Sequence, residues 1–135
     1  MAAFGRLSML GFRRPASQRR GMEVGTCVVT GATSGIGRAT ALGLAARGAR
    51  LVLLCRDRGR ADDLRRELEA RSGRDDARVV MADLSRLAEI RRAADEILAV
   101  APRIDVLVNN AGIVNLRREV TPDGFEATFA VHHLA

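Results

Sequence analysis

Thr30-Gly31-Ala32-Thr33-Ser34-Gly35-Ile36-Gly37 is the stretch on which the fold turns. Just before it lies Thr26-Cys27-Val28-Val29-Thr30, a short β-rich run. Just after it, Gly35 to Arg47 reads as a helix, with Ile36, Ala39, Leu42 (or Gly43) and Ala46 on one face and Gly48 as its stop. Glycines at a strand-to-helix junction permit a tight turn and let a ligand approach the backbone closely. The helix start then offers unpaired N–H groups and a positive dipole end, which suit a phosphate. A glycine-rich string alone is a weak signal, and a structural turn is its plain alternative. At the first turn of a strand–helix–strand unit the signal is much stronger.

Outward from this point the chain repeats the same alternation. Arg50-Leu-Val-Leu-Leu-Cys55 is a continuous apolar run, the pattern of a strand buried on both faces. Ala61 to Ser72 reads as a charged helix resting on Leu64 and Leu68 and ended by Gly73. Arg78 to Ala82 is a third strand. Ser85 is expected to cap a helix whose apolar positions are Leu87, Ile90, Ala94, Ile97 and Leu98, running to Pro102. Ile104 to Val108 is a fourth strand. Thr121-Pro122 is expected to open another helix, Thr as N-cap and Pro as first residue, with Phe125 and Phe129 one turn apart. This β-α-β-α-β-α-β-α order predicts an α/β fold: a Rossmann-type, doubly wound parallel sheet, truncated after the fourth strand and the start of the following helix.

Composition bounds the function. The 135 residues are 47% hydrophobic and 28% charged, a soluble globular balance. No run approaches the ~18 apolar residues of a membrane span. Two cysteines, Cys27 and Cys55, make neither a disulfide framework nor a metal motif, and both read as buried thiols. Residues 1–22 hold five Arg and no acid, hence +5, while residues 23–135 hold 17 Arg against 16 acids, hence +1. The basicity therefore belongs to a tail. In the body, Asp62/Arg66 and Glu67/Arg71 read as i,i+4 pairs on a solvated helix face. That distribution, with no Tyr or Trp, argues against specific nucleic-acid binding. Residues 1–22 are expected to be a disordered basic extension, or to precede a start at Met22, in preference to an organellar transit peptide. The body, 23–135, is expected in the cytoplasm, a mitochondrial location being the alternative.

Three further positions carry chemistry. A dinucleotide fold often places an acid about 20 residues past the glycines to hold a ribose hydroxyl. Here that position is Arg56, and a cation there suits a 2′-phosphate, favouring NADP(H) over NAD(H); a solvated Arg in an Arg-rich chain is the alternative. Asp83 follows the third strand at the edge where ligands bind, or serves only as an acid at a helix start. Asn109-Asn110-Ala111-Gly112 follows the fourth strand, where Asn amides can lock backbone and Ala-Gly admits a ring, unless this is an ordinary Asx turn.

In this order and spacing, TGATSGIG, Asp83-Leu84 and NNAG resemble the short-chain dehydrogenase/reductase family. Cys55-Arg56-Asp57 and Thr121-Pro-Asp-Gly-Phe-Glu126, with Phe129 and His133-Leu134, resemble its retinol-dehydrogenase-like branch. The resemblance covers residues 26–135. It implies NAD(P)-dependent hydride exchange with a small carbonyl or alcohol substrate, and leaves homo-oligomers open for the full-length protein. It also implies that Gly31, Ser34, Gly35, Ile36 and Gly37 hold the pyrophosphate and that Arg56 meets the 2′-phosphate. Asp83 and Leu84 would lie at the adenine, and Asn110, Ala111 and Gly112 near the ribose and nicotinamide half. Asn109 would stabilise the central strands.

The chain departs from that pattern in two ways. Family chemistry uses an Asn-Ser-Tyr-Lys set, and this sequence contains neither Tyr nor Lys, so no catalytic residue is assigned. Whether the isolated chain is an enzyme is therefore left open; a non-catalytic nucleotide-binding module is the alternative. In addition, His132 replaces the family Asn in Val131-His132-His133-Leu134. Histidine can donate a hydrogen bond, but it is larger and its charge varies with pH. Two adjacent helical His point about 100° apart, so no metal site is expected. His133 reads as a packing residue. With strands ordered 3-2-1-4, the fourth is an edge, and the 135 residues alone are expected to be marginally stable.

Overall fold

A computed structural model describes residues 25–135. The expectations for residues 1–22 and Met22 lie outside the described residues. Four parallel strands form one sheet in the order β3-β2-β1-β4, as the alternation predicts. The strands are β1 (Thr26–Thr30), β2 (Arg50–Cys55), β3 (Arg78–Met81) and β4 (Val106–Val108). The helices are α1 (Gly35–Ala45), α2 (Arg58–Ser72), α3 (Leu87–Val100) and the short α4 (Ala127–Phe129), which widens into a π-helical segment over Ala130–Leu134.

The apolar runs become strands because both of their faces are covered. Side chains alternate across a pleated strand. Cys27, Val29, Leu51, Leu53 and Cys55 turn to the face under α1 and α2, where Ala41, Leu64 and Leu68 complete a buried layer. Val28, Val52, Leu54 and Val80 turn to the other face and meet Ala93 and Ile97 of α3. Cys27 pairs in register with Leu51, and Thr30 with Leu54, so the end of β1 and the end of β2 reach the same edge of the sheet.

Several local expectations are corrected. The buried stripe of α1 is Gly37 and Ala41; Leu42, as expected, packs partly buried against the core together with Leu44 and Ala45, whereas Ile36 is 80% exposed. Small residues let this helix lie close to the sheet, which a pattern weighted towards large apolar side chains misses. On α3, Ala93 and Ile97 are buried and Leu98 is exposed. Helix α2 starts at Arg58 because the Asp57 carboxylate accepts from Arg60 N at 3.0 Å and caps it. Arg66 pairs with Asp63 rather than Asp62, whereas Arg71 pairs with Glu67 at 2.8 Å as predicted. Ser85 does not cap α3; Arg86 is its N-cap, and the Ser85 N–H is held by Asp83. β4 begins at Val106, two residues later than expected, where the Asp105 carboxylate takes the Thr26 N–H at 2.8 Å.

The largest correction concerns Thr121-Pro122. Thr121 O accepts from Gly124 N at 2.9 Å, and Gly124 adopts φ +85°, so residues 121–124 close a turn. Glu126, not Thr121, caps α4: its carboxylate accepts from Thr128 N at 2.8 Å and Phe129 N at 2.7 Å. Those bonds hold the Glu126 carboxyl below its ordinary pKa.

Candidate functional site

The carboxyl ends of β1, β2, β3 and β4 open onto a cleft of about 550 Å³. Gly31, Ser34, Gly35, Ile36, Gly37, Arg56, Asp83, Leu84, Asn110, Ala111 and Gly112 all line it. These are all the candidate binding residues that the sequence singled out, brought together from four separate strand ends.

The glycine loop is shaped by close approach. Gly31 turns with φ +63°, and a Cβ there would stand 2.8 Å from the Ala111 Cα. A Cβ on Gly37 would collide with the Asn110 amide and the Gly31 carbonyl. Both positions therefore admit only glycine without a backbone shift. Ser34 precedes α1 in extended conformation, and its side chain makes no capping bond. The first intrahelical bond runs from Arg38 N to Ser34 O at 3.1 Å. The N–H groups of the helix's first turn, Gly35 to Gly37, thus lack an intrahelical acceptor. They face the cleft with the positive end of the helix dipole.

The opposite wall is latched onto that loop. The Thr30 hydroxyl accepts from Asn110 N at 3.0 Å and Ala111 N at 2.9 Å. The Asn110 side chain donates to Thr30 O at 2.9 Å and to Gly31 O at 3.2 Å. The strand-stabilising part assigned to Asn109 is thus played by Asn110, while Asn109 lines an apolar cavity of about 430 Å³ on the far side of the wall.

Charge gathers at one end. Arg56 is exposed at the end of β2, and no carboxylate of the described residues forms an ion pair with it. The adjacent Asp57 is occupied by the α2 cap and lies 3.6 Å from Arg60. Across from them, Asp83 Oδ1 accepts from Ser85 N at 2.9 Å, and Asp83 N donates to Glu89 Oε2 at 2.7 Å. Burial pushes the Asp83 carboxyl up. The Ser85 bonds and the Arg56 and Arg86 charges outweigh that and leave it below the ordinary carboxylate value. Asp83 is therefore an anion at neutral pH, able to accept bonds from a ligand.

His132 stands outside the cleft, behind its wall. Its Nε2 lies 2.9 Å from both the N and the O of Ile113. His133 is exposed and stacks on Phe129, ring centroids 5.0 Å apart. Cys55 touches the cleft, but burial pushes its thiol up to about 11, so it is not a nucleophile at neutral pH. Among the described residues no cluster of three or more His, Cys, Asp or Glu could hold a metal ion. No helix among them is long and apolar enough to cross a membrane.

Thr33, Leu54, Cys55, Asp57, Arg60, Ala82, Ile113 and Val131 also line the cleft, and the sequence did not single them out for it. For Asp57 and Arg60 a signal existed, since an Asp ahead of a helix is a common cap and its third following residue must face it. Val131 comes to the cleft only through the turn at Gly124, which the sequence did not reveal.

Comparison with known proteins follows the same outline. A family profile described as short chain dehydrogenase matches residues 25–135. Human retinol dehydrogenase 14 is 42% identical over an alignment covering 99% of this chain and 47% of that protein. A short-chain dehydrogenase from Sphingobium yanoikuyae, solved in complex with NADPH, superposes with a TM-score of 0.69 at 35% identity, covering 81% of this chain and 43% of that one. A metagenomic short-chain oxidoreductase in complex with NADP gives a TM-score of 0.68 at 38% identity, covering 81% and 50%. The alignments cover between 28% and 47% of the length of the curated relatives it matches.

Proposed function

The chain belongs to the short-chain dehydrogenase family, on its retinol-dehydrogenase-like side, and from that premise we propose that it forms the NADP(H)-binding part of an oxidoreductase acting on CH–OH groups or the matching carbonyls. One observation carries the reading: a glycine cradle, a row of helix N–H groups without an intrahelical acceptor, an exposed Arg and an ionised Asp share one cleft. The backbone of Gly31, Gly35, Ile36 and Gly37 and the Ser34 hydroxyl would hold the pyrophosphate. Arg56 would take the 2′-phosphate, a planar cation against a dianion. Asp83 and Leu84 would bound the adenine. Asn110, Ala111 and Gly112 would form the floor under the ribose and nicotinamide half, where absent side chains leave room for a ring. When bound, the cofactor supplies or accepts the hydride.

The acid/base step is not assigned to any residue here, because the sequence holds no Tyr and no Lys. A second reading is a nucleotide-binding module that does not turn over. The two free thiols fit a reducing compartment, the cytoplasm or a mitochondrial matrix.

The test is a fluorescence titration of the full chain with NADPH and with NADH, in wild type and Arg56→Glu. NADPH is expected to bind more tightly. Arg56→Glu is expected to cost about 10- to 100-fold for NADPH, the worth of charged hydrogen bonds, and little for NADH. Equal affinities, or indifference of NADPH to the substitution, would overturn the assignment of Arg56. Consumption of bound NADPH on adding a carbonyl would exclude the second reading.

A further inference from the structure

Asp83 and Leu84 reach the cleft on the loop between β3 and α3. Backbone N–H groups in such a loop need acceptors from elsewhere. Two of them are taken by carboxylates that do not line the cleft. The Asp83 N–H donates at 2.7 Å to Oε2 of Glu89, in the first turn of α3. The Leu87 N–H donates at 2.7 Å to Oδ2 of Asp123, 36 residues further along the chain. Arg86, the N-cap of α3, supplies no side-chain bond of its own. Both bonds have the short length of bonds to ionised acceptors.

The clamp is selective. The Ser85 N–H goes to Asp83 Oδ1 at 2.9 Å, and the Arg86 N–H to Asp83 O at 3.1 Å. Four of the five N–H groups from Asp83 to Leu87 are thus taken. Among the described residues only that of Leu84 has no acceptor, which leaves it for a ligand. The outer acid is itself fixed. Thr121 N donates to Phe125 O at 2.8 Å, and the Thr121 hydroxyl accepts from Phe125 N at 3.3 Å, so Asp123 stands on a closed turn. An acid in a first helical turn favours the helix dipole wherever it points. Glu89 does more, because it reaches back past the helix start to the residue that faces the cleft.

We propose that Glu89 and Asp123 are positioning residues for the Asp83-Leu84 ledge, so that affinity for the adenine half of the nucleotide is set by two carboxylates standing outside the cleft. A loop left unheld must be ordered on binding, and that cost appears as weaker affinity. The proposal rests on the nucleotide reading above and adds to it two residues and the half of the ligand on which they act.

The test titrates the full chain at neutral pH with NADPH and with 2′,5′-ADP, which carries the adenine half and no nicotinamide. Wild type is compared with Glu89→Ala, Glu89→Gln, Asp123→Ala and Asp123→Asn, at a temperature where each form used is still folded by its melt. Each alanine variant is expected to weaken both ligands by the same factor, about 3- to 10-fold, the worth of one hydrogen bond. Gln and Asn keep an acceptor oxygen and are expected to restore most of the loss. Alanine variants that melt earlier but bind as wild type would reduce both acids to structural supports and overturn the proposal. So would amide variants as weak as the alanine ones, or a loss seen with NADPH and not with 2′,5′-ADP.

Amide hydrogen exchange of ligand-free wild type needs no variant to fold. The Asp83 and Leu87 amides are expected to exchange slowly and that of Leu84 fast. Fast exchange at Asp83 or Leu87 would overturn the clamp. Slow exchange at both, with neither ligand bound by wild type, would instead overturn the nucleotide reading, and the effect on affinity would fall with it.

Discussion

Strands β1, β2 and β3 on one side, and β4 with the segment after it on the other, are built to different standards. Leu51, Val52 and Leu53 of β2 are 2%, 1% and 0% exposed, while Val106 and Leu107 of β4 are 39% and 57% exposed. The first region is closed by helices on both faces. The second carries apolar residues into the open, including Val114 and Leu116 in the loop beyond. Yet the cleft needs both. Gly31, Gly37, Arg56 and Asp83 come from the closed region; Asn110, Ala111 and Gly112 come from the open one. Burial is concentrated in one half, and the candidate site lies at the seam where the more exposed half is latched to it. This is the usual division between a rigid scaffold and the loops that bind.

The largest expected effect tests the contrast itself. Leu53→Ala removes a fully buried side chain between two layers and is expected to cost about 2–5 kcal/mol. Leu107→Ala, more than half exposed already, is expected to cost about 1 kcal/mol or less. Urea denaturation of both variants checks this, and similar costs would break the comparison. Next comes the seam. Gly37→Val drives a side chain into the Asn110 amide and the Gly31 carbonyl, so the latch must open. A loss of about 1–3 kcal/mol by the same assay is expected, together with loss of NADPH binding. Retained binding would mean that the two walls are not coupled.

How much of this was legible follows the same division. The closed region announces itself: the continuous apolar run at 50–55 has the pattern of a strand covered on both faces, 26–30 is a short β-rich run beside it, and glycines between a strand and a helix point to a ligand edge. Within it, only details escaped. Gly37 and Ala41 look weak beside Ile36, because closeness of packing leaves no trace in hydropathy. The open region reads poorly. Thr121-Pro122 satisfies the rule for a helix start equally well as it satisfies a turn, and the deciding residue, Gly124, lies beyond the pair. Glu126 is not among the preferred caps, so its role was invisible. That His132 meets Ile113 depends on this turn, and no spacing rule links residues 19 apart across it.

The smallest expected effect lies at the far end of the seam. The Thr26 N–H holds the Asp105 carboxyl below its ordinary value, with Arg103 helping. A carboxyl whose folded pKa is lowered stabilises the protein above its unfolded value of about 4, and that stability is lost as pH falls through the folded value. Urea midpoints between pH 6 and 3 are expected to fall more steeply in wild type than in Asp105→Asn. Equal slopes would show that Asp105 does not join the two regions.

The most direct measurement follows backbone amides by NMR while NADPH is added to the full chain. The amides of Gly35, Ile36 and Gly37 on one wall, and of Ala111, Gly112 and Ile113 on the other, are expected to shift together and saturate at one concentration. Shifts confined to one wall, or none that saturate, would contradict a nucleotide site made at the seam.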